Sequence, residues 1–117
     1  MKNEGTGGPK CFHDGDVAKG FMATFALWLL SREKMHGYAL IKKMQKDGLV
    51  KASGSRVYPL LFELEGCHLV RSVETMHGGH RLRIYSTTRK GIGALTHVRK
   101  TFFIGLKKEF FEFMLNR

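Results

Sequence analysis

The run FMATFALWLL, from Phe21 to Leu30, constrains this chain more than any other feature. It lies in a helical-type segment from Asp16 to Ser31, with Asp16 as candidate N-cap, and is apolar on nearly every face. A helix that is apolar all round must be buried all round. The run is about half the roughly 20 residues that a membrane-spanning helix requires, and it stands too far from a basic N-terminal region to serve as a signal peptide. Burial in protein is the expectation, with no membrane partner. At 117 residues the chain is long enough for one domain with a modest core. One such core covers one side of the helix, and the other side, with Phe21 and Phe25, is left for a second copy of the chain.

Lysine and arginine outnumber aspartate and glutamate by 20 to 10, a net charge of +10. That excess favours a polyanionic partner, either nucleic acid or an anionic surface. The two cysteines, Cys11 near the N-terminus and Cys67 deep in the chain, make a poor disulfide framework, so reduced thiols in a cytoplasmic protein are expected. Cys67, His68, His77 and His80 are ligand types that suit zinc, but their spacing matches no common zinc pattern. No nucleophile and base stand at recognisable spacing, and no loop is built to cradle phosphate. The sequence therefore predicts no enzyme, no metal and no cofactor.

Residues 1–15 are polar and glycine-rich and read as a tail. After the apolar helix, Leu40, Ile41 and Met44 predict a second helix over Gly37 to Lys46, with Gly48 as its stop signal. Val57, Leu60, Leu61 and Leu64 mark a third, with Ser53 or Ser55 as N-cap and Pro59 disturbing its start. The stretch LVRSVETMHGGHRLRIYS gives two alternating β-type runs about Gly78-Gly79, a hairpin signal. From Thr88 to Asn116, Ile92, Leu95, Val98, Phe102, Leu106, Phe110 and Phe113 recur at three- and four-residue spacing and predict one long helix. The fold class is thus mainly α with a small β-hairpin. The order is that of a winged helix-turn-helix domain over residues 16–86, followed by a long dimerisation helix over 87–117.

The segments LWLLSREKMHGYALIKKM, SRVYPLLFELEGCHLV and RIYSTTRKGIGAL, with the glycine-centred hairpin between the last two, resemble the PadR-type transcriptional regulators in order and spacing. The resemblance covers about Phe21 to Leu95, and its most specific elements are Met35-His36-Gly37-Tyr38 and Tyr58-Pro59-Leu60-Leu61. Three places depart from the pattern: His68 stands where glycine is usual, Thr87 where an apolar residue is common, and the wing arginines are offset. The resemblance implies a homodimeric repressor that occludes polymerase, in a short form with a single C-terminal helix. It also implies that a flat aromatic effector can lie between the subunits, which would put Trp28, Phe102 and Phe103 about it.

In helix-turn-helix proteins the N-terminal residues of the second motif helix meet base edges. Here those are Ser55, Arg56 and Pro59. Arg56 suits a bidentate pair with guanine or a single phosphate. Arg81 and Arg83, alternating onto one face of the hairpin with His80 at its tip, suit the DNA backbone, as does Tyr38 at the start of the second helix. Gly37 is expected to let that helix pack closely beneath the first. Leu106, Phe110 and Phe113, with Phe21 and Phe25, are expected at the dimer interface. Two such chains would read a pseudo-palindromic operator in double-stranded DNA. A winged helix also serves as a protein-interaction module or a non-specific DNA architectural protein, and the residues leave those alternatives open.

Overall fold

The computed structural model describes residues 17–46, 52–102 and 104–116. The expected N-terminal tail, the Asp16 cap and the Gly48 stop signal lie outside them. Three helices come first: α1 over Val17–Arg32, α2 over Gly37–Lys46 and α3 over Gly54–Gly66. A two-residue strand, β1 (Met35–His36), precedes α2. The hairpin strands β2 (Val70–His77) and β3 (His80–Thr87) follow α3, and α4 (Arg89–Phe102) and α5 (Gly105–Leu115) close the chain.

The core lies where α1, α2 and α3 meet the base of the sheet. Ala23, Ala26, Leu27, Leu29 and Leu30 of α1 are buried with Leu40, Ile41 and Met44 of α2 and Val57, Leu60, Leu61 and Leu64 of α3. Leu69, Val70, Met35 and Tyr85 complete it from the sheet side. The periodic positions of α2 and α3 are therefore the buried ones. In α1 the burial is one-sided, and the remaining face carries exposed Phe21 and Trp28.

The sheet order is β1-β3-β2, antiparallel throughout, with Met35 opposite Tyr85 and Val70 opposite Thr87. β1 supplies only two residues, too few for any sequence pattern to show. Gly78 and Gly79 take positive φ, 58° and 83°, so the hairpin turns in two residues with the twist that its strands require.

Ser53 is the N-cap of α3, although its hydroxyl makes no capping bond, and the helix runs unbroken through Pro59. Proline brings no N–H, so it gives the Ser55 carbonyl no helical donor. Gly37 is buried, and the atoms nearest its missing side chain belong to Tyr58. A Cβ built there would stand 2.5 Å from Cε1 of Tyr58, so the glycine makes room for a ring from α3. His36 caps α2: its Nδ1 accepts from the Ala39 N–H at 3.4 Å.

The C-terminal segment is two helices rather than one. Ile104 is extended and Gly105 is left-handed, with φ of 63°, and no helix passes through that pair of conformations. The apolar residues keep their three- and four-residue spacing across the break, which hid it from the sequence. Cys67, half-buried at the end of α3, is disulfide-bonded, which corrects the expectation of reduced thiols. Among the described residues no helix is long and apolar enough to cross a membrane.

Candidate nucleic-acid interface

α3 positions its outward residues by burying the opposite ones. At about 100° per residue, Val57, Leu60, Leu61 and Leu64 fall on the core side and Ser55, Pro59, Phe62 and Gly66 on the far side. Ser55, Arg56 and Pro59 are exposed. The Ser55 and Ser53 hydroxyls lie 3.0 Å apart, fixing the side chains at the helix start. Tyr58, also on this helix, turns its ring toward Gly37 and Gly54. Phe62 is exposed to 78 %. The sequence reading passed over it, although it is a large apolar residue out of step with the core stripe of α3.

The wing arginines share one face of the hairpin with Glu74, Met76 and Ser72, and that face continues into buried Val70 and Tyr85. Their surroundings differ. The Arg83 guanidinium donates to the Ser72 hydroxyl at 2.8 Å, and that hydroxyl donates to the Glu65 carboxylate at 2.6 Å. This chain of bonds braces the wing against the end of α3, so Arg83 is tied into the scaffold. Arg81 lies 3.7 Å from Glu74 with both side chains well exposed, an arrangement that contributes little to stability and yields easily to a stronger anion. His80 is exposed at the hairpin tip.

Beneath them, burial pushes the Tyr85 hydroxyl above its ordinary pKa of 10.0; the Glu65 carboxylate adds to the rise and Arg83 opposes it. On α2, Tyr38 is exposed, with the Lys42 ammonium 5.5 Å from its ring centre. Lys43 lies 4.0 Å from Glu33. Tyr38, Ser55, Arg56, Pro59, His80 and Arg81 are thus all at the surface, while Arg83 is bonded to the wing's own framework.

A second surface is aromatic. Phe21, Phe25 and Trp28 stack along α1 with ring centroids 6.0 and 6.1 Å apart, and the Arg32 guanidinium continues the ladder 4.7 Å from the Trp28 ring centre. Together with Leu95, Val98 and Arg99 of α4 these rings line an apolar groove of about 250 Å³. Phe103 and the side chain of Phe102, expected beside Trp28, lie outside the described residues. α5 buries none of its residues, and Leu106, Phe110 and Phe113 are between 57 % and 81 % exposed.

Three helices and a two-stranded wing, with the third helix turning a polar and basic start to solvent, make a winged helix-turn-helix domain of the class that docks on duplexes. The chain belongs to the PadR-like family of transcriptional regulators, whose pattern matches residues 26–97. It is accordingly a DNA-binding regulator and not an enzyme.

Solved structures share the fold. A PadR family transcriptional regulator from Eggerthella lenta DSM 2243 is similar at 25 % identity and a TM-score of 0.70, over 86 % of this chain and 88 % of that one. A PadR-like transcriptional regulator from Bacillus cereus strain ATCC 14579 is 24 % identical with a TM-score of 0.70, over 86 % and 97 %. A PadR family transcription regulator from Clostridium difficile R20291 is 21 % identical with a TM-score of 0.65, over 81 % and 99 %. No curated protein matches the chain by sequence.

Proposed function

We propose that the protein is a homodimeric repressor that acts in the cytoplasm by covering a pseudo-palindromic operator, with α3 of each copy in a major groove and each wing along the adjoining backbone. The observation that carries the dimer is α5, a helix with no buried residue that presents Leu106, Phe110, Phe113, Met114 and Leu115 to water. Each large apolar side chain contributes about 1.5 to 3 kcal/mol when buried. Left alone, these side chains form a patch of the kind that marks an interaction site. The aromatic ladder of α1 is a second exposed apolar surface of the same chain, and the two together supply what a self-complementary interface needs.

Two-fold symmetry then sets the target, two half-sites about 34 to 36 Å apart. The groove beside Trp28, lined by stacked rings and apolar side chains, suits a planar aromatic effector, and an effector that binds the free protein more tightly than the operator-bound one would release the operator.

Selection of duplexes from a random pool with the purified protein, paired with sedimentation, tests the proposal. A dimer that enriches a palindrome supports it. A monomer that binds all duplexes alike overturns it in favour of an architectural role, and a protein that binds no duplex at physiological salt overturns it in favour of a protein-interaction module.

A further inference from the structure

Phe62 has no structural work to do in its own chain. Its side chain is 78 % exposed on the side of α3 opposite Val57, Leu60, Leu61 and Leu64. The residues that share its stripe, Ser55, Pro59 and Gly66, are small, so the Phe62 ring projects farther from this helix face than its neighbours there. Tyr58, one turn earlier, shows the contrast: its ring fills the space left by Gly37 and Gly54. Phe62 and the outer edge of half-exposed Tyr58 make a small apolar spot on a helix that also exposes Arg56, and on a chain of net charge +10 that is a poor patch for an apolar protein partner and a good one for a polyanion with an apolar feature.

Base edges in the major groove offer one such feature, the C5-methyl group of thymine; the remaining groups there are hydrogen-bond donors and acceptors. A phenyl ring pairs with none of those and leaves them without water when it covers them, which costs affinity. We infer that Phe62 is a specificity-determining residue that contacts a thymine methyl group in each operator half-site. Seven residues separate it from Ser55, about 10 Å along the helix, so its base lies about three base pairs from the one facing the start of α3. The inference rests on the DNA-reading function proposed above and adds to it a residue and a base.

The test uses the full chain and an operator selected from a random pool, in which each thymine is replaced in turn by deoxyuridine, a change that removes only the methyl group. The expected result for the wild-type protein is one position per half-site where the replacement weakens binding about four-fold, the worth of one buried methyl group, and about fifteen-fold when both half-sites are changed. Phe62→Ala binds the unmodified operator more weakly and is indifferent to deoxyuridine at that position, while Phe62→Leu keeps part of the sensitivity. Because the ring is exposed, the variants melt like the wild type. If Phe62→Ala and the wild type respond identically to every replacement, the inference is overturned while DNA reading stands. If no duplex is selected, the DNA reading itself falls and takes this inference with it.

Discussion

Gly91 and Gly93 lie two residues apart in α4 and should respond to alanine with opposite signs. A Cβ at Gly93 meets nothing within 4 Å. Alanine there gains only helix propensity, about 1 kcal/mol over glycine, or a rise in Tm of about 4 °C for a chain of this size. A Cβ at Gly91 runs into the Leu69 carbonyl oxygen and stands 2.6 Å from Cγ2 of Thr87. The Leu69 carbonyl has no room to yield, because it accepts the Thr88 N–H at 3.0 Å. Overpacking of this kind costs about 1 to 3 kcal/mol, and opening the Thr88 bond adds about 1 kcal/mol. Against the same gain in propensity, the net loss is about 1 to 3 kcal/mol. Urea and thermal melts should be run at matched protein concentration, since dimerisation raises apparent stability by mass action. A Gly91→Ala protein as stable as Gly93→Ala would refute the tight approach of α4 to the turn between α3 and β2.

Three further outcomes follow from other contacts. His68 holds φ of 65°, a left-handed conformation that costs a residue with a side chain about 1 to 2 kcal/mol, so His68→Gly should raise Tm by several degrees, and a lowered Tm would contradict that strain. The Tyr85 hydroxyl is pushed above its ordinary pKa of 10.0, so the unfolded chain loses this proton first. Its contribution is whole below about pH 10 and shrinks as pH climbs toward the raised value; the stability gap between wild type and Tyr85→Phe, read from urea melts, should narrow on that side only. Truncation after Ile104 removes α5, and sedimentation should then show monomer, with operator affinity down by orders of magnitude and weak non-specific binding retained; a dimer of full affinity would place the interface elsewhere.

How much was legible in the sequence differs by element, for physical reasons. The buried faces of α2 and α3 were readable because a 3.6-residue period leaves a stripe, and the hairpin turn because Gly78-Gly79 supplies two left-handed positions. β1 was not, because a two-residue strand is defined by the partner it pairs with, here Tyr85 and Ile84. The break at Gly105 was masked because Phe102 and Leu106 keep a four-residue interval whether the chain between them is helical or not. At the candidate site, the exposure of Ser55, Arg56, Pro59 and Arg81 followed from the core stripe and the hairpin alternation. The bonding of Arg83 did not, since it depends on Ser72 and Glu65 meeting from two different elements. Phe62 carried a signal that composition obscures: a large apolar residue out of phase with its own helix.

Two of the positions that depart from the family pattern lie at a single junction. Thr87 donates its hydroxyl to the Leu27 carbonyl of α1 at 2.7 Å, which an apolar residue there has no means of doing. Thr88 donates to the His68 carbonyl at 2.7 Å, and its oxygen accepts the Gly91 N–H at 3.0 Å, capping α4. Thr88 therefore holds the strained His68 turn and the start of α4 with one side chain. Through these three bonds the end of β3 is fastened to α1, to the turn that follows α3, and to α4. The aromatic groove lies between α1 and α4, and the residues that anchor the wing and the end of α3 also hold the start of α4. The groove and the surface carrying Arg56, Phe62 and Arg81 are separate faces of the molecule joined by a short, fully bonded connection.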